Sequence, residues 1–181
     1  KPAAESALPS GFSYRGDVAF YPCSVVKLFL VVAAQLALHA GRLTPHDELD
    51  RAMRDMIRWS SNTATNYVID LLSETTGDTL LGDAEMRDWV EARNRVNRFY
   101  AELGPALCAD VNLAQKLMDD DRYGREKMFV QWGGVNNHNR LSSDAAAWLL
   151  ADVMCGRVLP PSSGERIAGF LGERRANLLA H

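Results

Sequence analysis

The chain has 181 residues, a net charge of −3, and 47% apolar against 24% charged residues. That size and balance suit one domain with a real buried core. They exclude a disordered, collagenous, coiled-coil or disulfide-stapled chain. The slight acidic excess argues against a nucleic-acid partner, which calls for a basic surface.

Residues 1–22 read as irregular, broken by Pro2, Pro9 and Pro22, with a short strand around Phe12 to Tyr14. The first six residues lack the apolar core of a signal peptide. Residues 24–40 form a strongly apolar helix ended by Gly41. Its apolar run, Leu28 to Ala40, is 13 residues long, short of the roughly 20 needed to span a bilayer. Thr44-Pro45 opens a second helix that runs to about Trp59, with Asp47 and Glu48 in the first turn where the dipole favours acids. A third helix runs from about Asn62 to Ser73 and stops near Gly77.

Residues 83–103 predict one long charged helix closed by Gly104-Pro105. Its arginines Arg87, Arg93, Arg95 and Arg98 interleave with Glu85, Asp88 and Glu91, the pattern of a salt-bridged surface face. Residues 106–141 are mixed. A helix follows over about Ser143–Cys155, capped by Ser142 or Ser143. Pro160 to Gly164 reads as a loop, and the last helix as about Glu165–Leu171. There is no internal repeat, so the whole of 1–181 is expected to be a single helix-rich domain.

Only four of the 20 basic residues are lysines, namely Lys1, Lys27, Lys116 and Lys127. Lys27 stands three residues after Ser24, at the opening of the apolar helix. That spacing puts both side chains on one face, one turn apart. Burial and a helix N-terminus both favour the neutral amine, which can accept the serine proton and make a nucleophile. The plainer alternative is a serine cap and a lysine that snorkels to solvent. The second pattern is Ser60-Ser61-Asn62 in the short break between two helices. A hydroxyl there can relay a proton, and an amide can hold a substrate amide. Here too the alternative is a pair of caps for the following helix.

Together these stretches resemble the class A serine β-lactamases and their penicillin-binding transpeptidase relatives, marked by S-x-x-K, S-D-N and K-T-G. The matching segments are Phe20 to Phe29, around Ser24-Val25-Val26-Lys27, and Met56 to Asn66. Within the second, Ser60-Ser61-Asn62-Thr63-Ala64-Thr65-Asn66 is similar to S-D-N-T-A-x-N. Weaker echoes lie at Val96 to Gly104 and Asn139 to Asp144. The resemblance implies that Ser24 is the acylated nucleophile and Lys27 its activator. It makes Ser60 the proton relay to the departing nitrogen and Asn62 the ligand of the substrate's amide. The Ser24 N–H would supply half of an oxyanion hole. The implied substrate is a small β-lactam or cell-wall peptide, and the implied location periplasmic or secreted.

The chain departs from that pattern in three ways. No lysine is followed by Thr-Gly or Ser-Gly, so the third motif is absent. The fold class expected is therefore mainly α: the helical lobe of the α/β (α+β) serine β-lactamase/transpeptidase-like fold, with most of the sheet missing from this chain. A dimer or a further segment is expected to complete the sheet, since bare apolar helix faces are hard to keep in water. Next, no E-x-x-x-N occurs between Asn66 and Asn139. The acids on offer for deacylation are Asp119, Asp120, Asp121 and Glu126, which read as a solvated turn and do not form an EF-hand loop. Finally, Ser61 replaces the usual Asp, keeping the turn while losing an ion pair.

No metal and no cofactor are expected. The chain has no C-x-x-C, and His39, His46, His138 and His181 are scattered without ligand spacing. The three cysteines, Cys23, Cys108 and Cys155, allow at most one internal pair. Cys23 is expected to be a small buried hydrophobe beside Ser24.

Overall fold

A computed structural model describes residues 11–77, 79–103, 108, 110–118 and 122–179, with backbone alone beyond residue 173. In chain order the elements are β1 (Ala19–Phe20), a 3-10 turn (Cys23–Val25), α1 (Val26–His39), α2 (Asp47–Arg58), α3 (Asn62–Ser73), α4 (Asp83–Arg93) and α5 (Arg95–Leu103). They continue with α6 (Gly124–Val130), a second 3-10 turn (Trp132–Gly134), β2 (Leu141–Ser142), α7 (Ser143–Met154) and α8 (Pro161–Leu179). β1 and β2 pair antiparallel, Ala19 opposite Ser142 and Phe20 opposite Leu141. The chain is thus mostly helical with a two-strand sheet, as a helical lobe of the β-lactamase fold would be.

α1 is the centre. It is apolar on nearly every side, and such a helix is stable only when surrounded. Ten of its 14 residues are buried, among them Phe29, Leu30, Val31 and Val32. α2, α3, α5 and α8 pack around it. Leu49, Met53 and Met56 come from α2, Val68 and Ile69 from α3, Tyr100 from α5, and Ile167 and Phe170 from α8. Each such side chain is worth about 1.5–3 kcal/mol when fully buried. Tyr100 is wholly buried and donates its hydroxyl to Phe29 O at 2.6 Å, and burial raises its pKa well above the usual value. The expectation of bare helix faces does not hold for α1. Exposed large apolar residues gather instead between Phe12 and Val25, including Phe20 and Tyr21. A smaller apolar cluster of Met86, Trp89, Ala114 and Phe129 joins α4 to α6.

Local chemistry sets the ends. His46 caps α2, its Nδ1 accepting from Leu49 N. Ser61 caps α3 by accepting from Ala64 N, so the neutral residue does keep that turn. Ser142 caps α7 through Ala145 N. α3 ends on Glu74 in the left-handed region at φ 55°, before the expected stop at Gly77.

Four sequence expectations need correcting. The strand lies at Ala19–Phe20, not at Phe12 to Tyr14. The long helix over 83–103 is two helices, broken at Asn94, whose Nδ2 donates to Val90 O at 2.9 Å and whose Oδ1 accepts from Asn97 Nδ2 at 2.7 Å. Side-chain bonding of this kind competes with the helical ladder. The loop predicted at Pro160 to Gly164 is the start of α8, because Pro161 stands at a first helical position, where its fixed φ helps and its missing N–H costs nothing. α8 also runs past Leu171, to Leu179. The predicted stop at Gly104-Pro105 lies outside the described residues.

Among the described residues no helix is long and apolar enough to cross a membrane. No group of three metal-ligating side chains occurs among them either.

Candidate active site

The site forms where the N-terminus of α1 meets the α2–α3 corner. Ser24 lies in the 3-10 turn that leads into α1, and Lys27 is in the first turn of the helix proper. Trp59 closes α2, Ser60 forms the corner, Ser61 caps α3 and Asn62 opens it. α1 packs against both α2 and α3, which brings the corner over Lys27.

Lys27 is 3% exposed. Its Nζ donates to Ser24 Oγ at 3.1 Å, Ser60 Oγ at 2.9 Å, Asn62 Oδ1 at 2.9 Å and Ser60 O at 2.6 Å. Ser60 Oγ donates to Ser24 Oγ at 2.9 Å. An ammonium has three protons, so four oxygens compete for them around this amine. Ser24 is exposed, Ser60 and Asn62 are half-buried, and Lys27 is beneath them. A groove of about 420 Å³ runs over the cluster, with Pro22, Val25, Leu28, Ile57 and Leu171 among its walls. The Ser24 hydroxyl therefore faces an apolar-walled opening, while the amine is screened from bulk water.

The capping alternatives fail on geometry. α1 has no side-chain cap, and the cap of α3 is Ser61 rather than Ser60. Nor does Lys27 snorkel.

Two non-glycine residues at the site occupy the left-handed region, Cys23 at φ 48° and Ser60 at φ 56°. For L-residues this costs roughly 1–2 kcal/mol, and such strain collects where function fixes a side chain. At Ser60 it aims the hydroxyl at Ser24. Cys23 is exposed rather than buried, because the tight turn ahead of α1 throws its side chain outward. All three cysteines are free thiols. Cys108 is buried and its pKa is pushed up to about 11, which keeps it protonated and inert. Replacing Cys23 by glycine is expected to raise stability by up to about 1 kcal/mol, because glycine adopts this φ without strain; urea unfolding curves measure it.

One contact was not legible in the motifs. Asn66 lies one turn after Asn62 on α3. Its Nδ2 donates to Leu117 O at 2.6 Å, and its Oδ1 accepts from Leu117 N at 2.8 Å. That double bond clips the loop over residues 110–118 to the helix that carries Asn62. Asn97 holds the same loop from α5 through Leu113 N and Asn112 Oδ1. The sequence signal was present, since Asn66 closes the S-S-N-T-A-T-N run, but nothing in the sequence names its partner.

Of the acids on offer for deacylation, Glu126 is the one that the structure describes. Glu126 is 1% exposed, not part of a solvated turn. It accepts from Arg93 Nη2 at 2.7 Å, with Lys116 Nζ at 3.9 Å. Arg93 also pairs with Asp70 at 3.1 Å, and Lys116 with Asp70 at 2.5 Å. Arg93 therefore leaves the surface face expected of it and enters the interior, stacked over Trp89 with its guanidinium carbon 4.4 Å from the ring centre. Burial raises the Glu126 pKa in spite of the two cations, and burial likewise lowers that of Arg93. Gly77 is required beside this carboxylate, since a Cβ there would stand 2.1 Å from Glu126 Oε1. Asp119, Asp120 and Asp121 lie outside the described residues. Arg95 and Arg98 do make surface ion pairs, with Glu74 and Glu91.

No curated protein and no solved structure matches the chain. A family model described as the β-lactamase enzyme family matches residues 48–180. The match spans the corner with Ser60 and Asn62 and begins after Ser24 and Lys27. It covers most of the chain, and with the helical architecture it shows that this protein belongs to the β-lactamase enzyme family.

Proposed function

We propose that the chain is a serine acyl-transfer hydrolase of the β-lactamase kind, acting on a small β-lactam or a cell-wall peptide amide. The observation that carries this reading is the Lys27 amine held within hydrogen-bond reach of two hydroxyls and one carboxamide, under an open groove. Lys27 in its neutral form takes the Ser24 proton as Oγ attacks the carbonyl carbon. The Ser24 N–H at the head of α1 supports the oxyanion. As the carbonyl C–N bond breaks, the proton passes from Lys27 through the Ser60 hydroxyl to the departing nitrogen. Asn62 holds the substrate's amide. The product of this half-reaction is an ester on Ser24, and water then releases the acid. Such chemistry fits a periplasmic or secreted location.

One observation favours slow release. Glu126, which lies a little beyond the expected stretch, is committed to Arg93 in the buried ion cluster. The ester on Ser24 is therefore expected to persist, as in a penicillin-binding D,D-peptidase.

Intact-mass measurement tests the reading. Incubation with benzylpenicillin is expected to add the mass of one whole drug molecule to the protein and none to Ser24→Ala. That control matters because the Cys23 thiol is exposed next to the serine. No adduct at saturating drug, or an adduct that survives Ser24→Ala, overturns the proposal.

A further inference from the structure

A second groove, of about 500 Å³, lies along β1 and the segment that leads into β2, and nothing in the acyl-transfer reading uses it. That volume suits a small organic ligand. Phe20, Tyr21, Gln115, Arg122, His138 and Arg140 are among its lining residues, and among the described residues no aspartate or glutamate lines it. Arg140 spends Nη2 on Asp110 Oδ1 at 2.7 Å. Among the described residues the Arg122 guanidinium has neither a hydrogen bond nor an ion pair, and its Nε is enclosed without a partner. Gln115 is 1% exposed, and its Nε2 is likewise enclosed and unpartnered. A buried donor without an acceptor costs about 1–3 kcal/mol, and more for a charged group. The groove therefore holds a surplus of donors and positive charge.

The Gln115 carboxamide oxygen is already spent inward. Gln115 Oε1 accepts from Asn139 N at 2.8 Å and lies 3.2 Å from His138 Nδ1. A carbonyl oxygen only accepts, so His138 carries its proton on Nδ1. The same contact orients the imidazole, which stands edge-on to Tyr21 with ring centres 6.4 Å apart. Phe20 and Tyr21 are each about half exposed. The groove thus offers flat aromatic surface beside a guanidinium with no partner among the described residues, and a ligand that satisfies both is planar and anionic.

We propose that this groove binds a small aromatic carboxylate, its carboxylate paired with Arg122 and its ring against Tyr21 and His138. Arginine meets carboxylates through two parallel donors, which favours that head group over a neutral amide. The site is independent of the acylation chemistry.

Binding is measured on Ser24→Ala, so that failure of acylation cannot affect the result. Benzoate is titrated into the protein and followed by NMR, with benzamide as the neutral match. Benzoate is expected to shift the His138 ring signals and to bind at least about tenfold more tightly than benzamide, the factor that one charge-assisted pair supplies. Arg122→Gln is expected to remove that preference, and Tyr21→Ala to weaken both ligands. Equal affinity for benzoate and benzamide in the unsubstituted groove overturns the proposal, as does an unchanged benzoate Kd in Arg122→Gln.

Discussion

Lys27→Met is expected to slow acylation of Ser24 by penicillin by about 10²–10⁴-fold, the range that a positioned general base contributes. Methionine matches the length of the lysine stem and removes the one group that touches Ser24 Oγ, Ser60 Oγ and Asn62 Oδ1 together. A merely structural lysine predicts a different result, namely lower stability with an unaltered rate per folded molecule. Rapid-quench mass spectrometry gives the rate and thermal unfolding gives the stability. A second readout separates the roles further. If the amine takes the serine proton, the acylation rate rises with pH through the titration of that amine, and the inflection is absent in Lys27→Met. A rate within a factor of about three of the parent, with no change in its pH profile, removes Lys27 from the chemistry.

The second large effect lies in the buried ion cluster. Arg93→Met strips Glu126 of its 2.7 Å partner and leaves it Lys116 at 3.9 Å. Breaking a buried pair on one side costs about 3–5 kcal/mol, because the remaining charge is still out of water. The pH dependence follows from the direction of the Glu126 shift. Burial already raises its folded pKa above the ordinary carboxylate value, and loss of Arg93 raises it further. A group of this kind adds stability below its unfolded pKa and loses that contribution as pH rises through the folded one. The deficit of Arg93→Met is therefore largest at neutral pH and shrinks on acidification, as Glu126 takes up a proton. Arg93→Met combined with Glu126→Leu is expected to recover most of the loss and to lie within about 1–2 kcal/mol of the parent. It replaces the pair by apolar volume and leaves Lys116 with Asp70. Urea unfolding across that pH range checks all three; equal losses for the single and double variants would show that the two charges are not coupled.

Legibility followed the range of the interactions. α2, α3 and α7 were readable because their signals are local: Asp47 and Glu48 in a first turn, the Ser61 and Ser142 caps, and apolar spacing. The break at Asn94 was hidden, since an asparagine inside an amphipathic run signals a bend only once its side chain bonds back to Val90. Pro161 reads as a loop residue in the sequence, although proline serves equally well at a helix start. At the candidate site, Ser24 with Lys27 and Ser60 with Asn62 were legible as two short patterns. Their meeting across 36 residues of separation was implied by resemblance and is visible only in the packing of α1 against the α2–α3 corner. Arg93 and Glu126 are not legible for the same reason. Their residue types favour the surface, and the interior partners that hold them, Asp70 and Lys116, lie far along the chain.

The burial of α1 has a consequence for synthesis. α2 and α3 follow it directly from the ribosome, but α8, which brings Ile167 and Phe170 to the same core, begins at Pro161. At about 5–20 residues per second, the side of the helix that α8 covers waits on the order of 10 s for its partner. Over that interval one side of α1 in the nascent chain lacks its cover, and a holding chaperone is the natural guard for it.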